Sequence, residues 1–195
     1  MKKEYPPLSQ LKAEYGRNKQ IPENYQEVVL RSLFHFPQLR ETTIDFIVTD
    51  NHEKRHSTEP SFGSVLKGKK RSYTVRILEK KEGPEESALI KNLPYEAQMA
   101  AIAHELAHIV QFEKGSSRHL KITLNKLDKR RERERQADIL VIEHGLGFEL
   151  YTYATYVRNI KGLIDENRDL DVNHLHPNEI LEALPPDQLQ EVHRF

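Results

Sequence analysis

The sequence predicts an α+β domain, and three observations carry that prediction. Its segments read in the order helix, strands, helices. At Pro94 the hydrophobic period changes from two residues to between three and four, and it stays helical from there. The apolar residues, 37% of 195, are clustered and periodic, so the chain can build a modest core despite 31% charged residues. This length fits one domain over residues 1–195, with a loose N-terminal arm at 1–20 and a helical C-terminal part at 150–195.

The arm follows from a polar, proline-interrupted start. "PENYQEVVLRSLFHFPQL" then has helical period. Pro22 lies near its start, Val28, Val29, Leu33, Phe34 and Phe36 form a buried stripe, and Pro37 ends it. "TTIDFIVTD" alternates Ile44, Phe46 and Val48 with Asp45, Ile47 and Thr49, the period of a strand. "NHEKRHSTEP" reads as a polar loop. "SFGSVL" and "RSYTVRIL" read as two strands joined by "KGKK", with Tyr73, Val75 and Ile77 on one face. "EKKEGPEE" is a loop, and "SALIKNL" is a candidate further strand.

Pro94 suits the first turn of a long helix and Gly115 its stop; Met99, Ile102, Leu106 and Ile109 mark the core face. "RERERQADILVIEHGLG" is a second helix ended by Gly145 or Gly147. "ELYTYATYVRNIKGLIDEN" is a third, with Tyr153, Val157, Ile160 and Ile164 in register. "HPNEILEAL" is a short fourth, opened by Pro177 and stopped by Pro185.

Composition excludes several functions. Lys plus Arg and Asp plus Glu are both 30, so no net charge draws the chain to nucleic acid or to an anionic membrane. The absence of cysteine removes disulfides, a thiol nucleophile and cysteine-type zinc sites. Any metal must then be held by imidazole and carboxylate. The N-terminus lacks the apolar segment of a signal peptide and no apolar run is long enough to span a bilayer, so the expected location is cytoplasmic.

Three motifs are decoys. Gly63, Gly68 and Lys69 match most of a phosphate-binding loop, but Lys70 stands where a hydroxyl must reach magnesium, and a hairpin turn explains them. "KLDKRRERERQ" alternates in sign, as a solvated helix face does. His52 and His56 are four apart in a loop, where that spacing has no geometric meaning.

The chemistry lies in "AAIAHELAHIVQFEKG", residues 100–115. Helical residues four apart share a face, so His104 and His108 can converge on one ion. Glu105 points beside the pair, where it can take a proton from a water activated by that ion. Ala97 and Ala101 share the histidine face and let a neighbouring element approach closely; a merely solvated face would carry Lys, Glu or Gln. A hydrolytic zinc site needs a third ligand. Glu134 and Asp138 in "ERQAD" are again four apart on a face that looks buried. The favoured assignment is Glu134 as ligand and Asp138 as an acceptor that orients a ligand histidine. Glu132, His119 and His144 are its competitors.

"AHELAH" followed by "ERQAD" resembles the gluzincin metallopeptidases, whose pattern is HExxH on one helix and ExxxD or ExxAD on the next. The resemblance covers roughly residues 70–145 and extends to minimal, single-domain members of the group. It implies a zincin-like fold, with a small mixed sheet before the active-site helix. It also implies an edge strand along the cleft to which a peptide adds, with "RSYTVRIL" or "SALIKNL" as the candidate. It implies one Zn2+ per chain, a peptide or protein substrate, and a further side chain that stabilises the oxyanion. "NHLHPNEI" nominates His176 for that role by its likeness to a His-Pro element of membrane-associated relatives. Leu181 and Glu182 stand where those relatives carry an arginine. His174 and His176 can equally be polar groups at a helix start, and Tyr151, Tyr153 and Tyr156 are further candidates. The alternative to an enzyme is a zinc-binding module that is latent or non-enzymatic, its cleft covered by the tail "ALPPDQLQEVHRF".

Overall fold

The computed structural model describes residues 3–50, 57–60, 71–114, 127–163 and 172–192. It is α+β, mostly helical, with one small mixed sheet. In chain order the elements are α1 (Leu8–Tyr15), β1 (Lys19–Gln20), α2 (Gln26–Phe34), β2 (Thr43–Thr49), β3 (Ser57–Pro60), β4 (Ser72–Leu78) and α3 (Pro84–Ser87). Then follow α4 (Tyr95–Lys114), α5 (Leu127–Glu143), α6 (Gly147–Asn159), α7 (Pro177–Ala183) and α8 (Pro186–Val192). The sheet order is β1-β2-β4-β3. Strands β1, β2 and β4 are parallel, and β3 runs antiparallel to β4.

Helix α4 positions everything else. It contacts α2, α5, α6 and β3. Ala97, Ala100, Ala103 and Ala107 are fully buried, and their small side chains let these neighbours approach the backbone. Met99, Ile102, Leu106 and Ile109 are buried as the period requires. They join Ile44, Phe46, Tyr73, Val75 and Ile77 of the sheet in one apolar cluster. Burial on this scale contributes about 1.5–3 kcal/mol per large side chain, which holds α4 rigidly enough to carry a site.

The α5–α6 corner is built from two glycines. Gly145 has φ +79, and Gly145 N–H donates to Ile142 O while Leu146 N–H donates to Val141 O, a left-handed helix stop. At Gly147 a Cβ would lie 2.2 Å from Leu184 Cδ2 and 2.5 Å from Gln188 Oε1. That space belongs to Gln188, whose Oε1 accepts from Gly147 N–H and whose Nε2 donates to Ile142 O. One buried side chain thereby satisfies the end of α5 and the start of α6.

Several expectations need correction. The arm is not loose: Leu11 and Tyr15 of α1 are buried, β1 joins the sheet, and Lys3 Nζ reaches the buried Glu149 carboxylate at 2.7 Å. "STEP", placed in a loop, is strand β3, and it pairs with β4 where "SFGSVL" was expected to. "SALIKNL" is not a strand. Ile90–Asn92 form a 3-10 turn, because Leu89, Ile90 and Leu93 are buried at a spacing no strand face provides. Nor is "RSYTVRIL" an edge, since β4 has a partner on each side; among the described residues the edges are β1 and β3. Alternation in β2 holds for Ile44 and Phe46 and lapses at Val48, which is 37% exposed.

Helix α6 ends at Asn159, so Ile160 lies just beyond it. The tail forms the unexpected helix α8, with Gln188, Leu189 and Val192 packed on the core through its last described turn. The segment "SFGSVLKGKK", Gly115, His52, His56, His119 and Ile164 lie outside the described residues. Among the described residues no helix is long and apolar enough to cross a membrane.

Candidate metal centre

His104, Glu105 and His108 lie on α4, and Glu134 and Asp138 on α5. Each pair is local: one helical turn puts His104 above His108 and Glu134 above Asp138. Packing of α5 on α4 then brings the two polar faces together, with Glu105, His108, Glu134 and Asp138 all buried.

The hydrogen bonds fix the protons. His104 Nδ1 faces Asp138 Oδ1 at 2.9 Å, and His108 Nδ1 faces Gln111 Oε1 at 2.9 Å. Gln111 Nε2 donates to Arg133 O at 2.9 Å, which leaves its oxygen turned to His108. Both Nδ1 atoms therefore donate, which turns both Nε2 atoms toward the remaining carboxylate, where a neutral ring would present a lone pair. These aim at one atom: Glu134 Oε2 lies 3.2 Å from His104 Nε2 and 2.9 Å from His108 Nε2. Arg133 Nη2 holds the other oxygen of Glu134 at 3.0 Å. Three electron-pair donors share this space only if positive charge sits among them, either as protons on the rings or as a cation.

The electrostatics agree. Burial alone would lower His104, yet the Asp138 and Glu134 carboxylates hold it well above the histidine range. Burial alone would raise Glu134 and Asp138, yet their histidine partners hold both well below the carboxylate range. Asp138 has further work. Its Oδ2 accepts from Leu175 N–H at 2.8 Å and lies 3.4 Å from His174 Nδ1. His104, Glu134 and His174 offer ligand atoms all within 4.8 Å of one another.

The centre opens into a cleft of about 510 Å³. Its walls include Thr58 and Glu59 of β3, Leu150 and Tyr153 of α6, and His174. Tyr153 is pushed up to about 12 by burial and by the Asp138 and Glu105 charges, so its hydroxyl keeps its proton. Glu105 accepts a hydrogen bond from Thr58 Oγ1 at 2.6 Å.

The expected residues divide accordingly. His104, Glu105, His108, Glu134 and Asp138 come together. His176 does not: it is exposed, its N–H bonds Glu179 Oε2 at the start of α7, and it is not among the cleft-lining residues. Two residues earlier, His174 is among them. Of the three tyrosines Tyr153 lines the cleft, while Tyr151 and Tyr156 pack on the two apolar clusters. Glu132 is exposed, and its Oε1 accepts from Gln136. His144 stacks on Phe36 at 4.2 Å between ring centres, at the α5–α6 corner. Sequence reading missed Gln111, although its place three residues after His108 is a helical contact distance. It also missed Thr58, for which no local signal exists.

No protein-family model, curated protein or solved structure matches the chain.

Proposed function

We propose that this chain is a zinc-dependent peptidase of gluzincin type with a zincin-like fold. The observation that carries the proposal is the convergence of His104 Nε2 and His108 Nε2 on Glu134 Oε2, with each Nδ1 already committed. A cation fits that donor set: two imidazoles, one carboxylate, no thiolate, and a buried Asp138 orienting the first ligand. Zinc bound there supplies a Lewis acid that polarises a carbonyl and acidifies water.

The remaining roles belong to the chain itself. Glu105 is the base that takes a proton and returns it to the leaving amine. His174 and Tyr153 are the cleft-wall donors available to an oxyanion. Strand β3, an edge among the described residues, is the strand to which an extended peptide adds by main-chain pairing. Cytoplasmic location is part of the same reading.

Elemental analysis of natively purified protein is expected to find about one zinc per chain. The Glu105→Gln variant is expected to keep the metal and lose hydrolysis of a fluorescence-quenched peptide library by about 10²–10⁴-fold. Absence of zinc after zinc addition refutes the proposal, and equal rates in the variant remove Glu105 from the mechanism.

A second reading, a closed and latent zinc module, has one observation in its favour: the nearness of His174 to His104 and Glu134. X-ray absorption on the zinc-loaded protein separates the two. Two imidazoles with oxygen donors support the enzyme, and three imidazoles support the latent module.

A further inference from the structure

Thr58 stands on the one edge strand that faces the cleft, and its hydroxyl is spent on Glu105. Oγ1 lies 2.6 Å from Glu105 Oε2 and 3.2 Å from Glu105 O. A hydroxyl has one proton to give, and the shorter contact falls in the range of hydroxyl-to-carboxylate bonds, about 2.5–2.7 Å. The bond therefore goes to the side chain. It crosses from β3 to α4 over 47 residues of sequence, between an element of the cleft wall and the residue beside the two histidines. Glu105 is buried, and its Oε1 has no protein hydrogen-bond partner among the described residues. One carboxylate oxygen is held, and the other meets no donor among the described residues.

We propose that Thr58 is a positioning residue for Glu105: it anchors Oε2 to the cleft-edge strand and so dedicates Oε1 to proton transfer. The proposal rests on the peptidase reading for the use of Oε1, but the anchoring stands on the contact alone. It also ties the base to the strand on which a peptide would dock. A carboxylate freed to rotate spends less time with either oxygen in reach of the reacting water, so rate falls while binding at the β3 edge is untouched.

Thr58→Val is the decisive variant, because valine has nearly the same shape and keeps the β-branched preference of a strand. With the quenched peptide library as substrate, we expect kcat to fall about 10–100-fold, KM to stay within about two-fold, and zinc to remain at about one per chain. Thr58→Ser, which restores the hydroxyl, is expected to recover most of kcat. A crystal structure of zinc-loaded Thr58→Val is expected to show the Glu105 carboxylate rotated away from its wild-type position.

Unchanged kcat in Thr58→Val overturns the proposal. So does a rise in KM that serine fails to correct, which would mark a strand role only. A Glu105 carboxylate that keeps its orientation in the variant overturns it whatever the rates are. If the wild-type protein hydrolyses nothing, the peptidase reading fails, and the crystal structure alone decides the anchoring.

Discussion

Two regions of this molecule bury histidines in polar surroundings, and they differ in one respect. At the α5–α6 corner, His35 Nδ1 donates to His144 O at 2.9 Å, and its Nε2 lies 3.1 Å from the Tyr5 hydroxyl, which donates to it. Every ring nitrogen has a partner of the opposite kind, and the ring is neutral. At the centre between α4 and α5, His104 and His108 also donate through Nδ1, but both Nε2 atoms face a carboxylate oxygen. The corner is complete with a neutral ring, and the centre needs positive charge, as ring protons or as a cation. Burial alone therefore does not mark a candidate ligand histidine; two ring nitrogens converging on one carboxylate oxygen do.

The largest expected effect breaks the centre. Asp138→Ala removes the acceptor of both His104 Nδ1 and Leu175 N–H from a fully buried position. Stability is expected to fall by about 3–5 kcal/mol in urea unfolding, and zinc affinity by about 10–100-fold. Loss of stability without loss of zinc would place Asp138 outside the centre.

The corner is expected to respond to acid instead. Burial holds His35 down to about 4 from its ordinary 6.5, against the opposing hydrogen bond to the His144 carbonyl and with the Lys3 charge adding to the fall. Between these values the unfolded chain binds the proton that the folded chain refuses, so stability rises with pH across that window. It is complete above about pH 6.5 and falls by up to about 3 kcal/mol as pH drops to about 4. In urea unfolding at a series of pH values, the stability advantage of wild type over His35→Gln should shrink on acidification through this window. An advantage independent of pH would mean that His35 does not titrate there.

The smallest effect tests how tightly the corner is packed. Gly147→Ala pushes a methyl group into Leu184 and Gln188 and is expected to cost about 1–3 kcal/mol. Zinc content should not change, since none of these residues lines the cleft. Reduced zinc in this variant would show that the two regions are coupled.

Local geometry made part of this protein legible. The α+β order, the long helix α4 and its buried Met99, Ile102, Leu106 and Ile109 follow from period and from the prolines and glycines that punctuate it. His104 with His108, and Glu134 with Asp138, are pairs one turn apart on a helix, and helix geometry is the same in every fold. The sequence by itself thus determined which side chains could share a site.

Tertiary structure decided what completes it, because contacts between distant segments leave no periodic trace. Polar "STEP" became the cleft edge only because β4 offered it a free side, and Thr58 met Glu105 only because that edge lies on α4. His174 rather than His176 reached the cleft because Leu175 N–H is held by Asp138 while His176 N–H turns to Glu179. The polar arm is tied to the core because Lys3 meets Glu149, a carboxylate that burial holds above its ordinary range even with that partner, across 146 residues of sequence. Spacing fixes what one helix can present; only packing fixes what is presented to it.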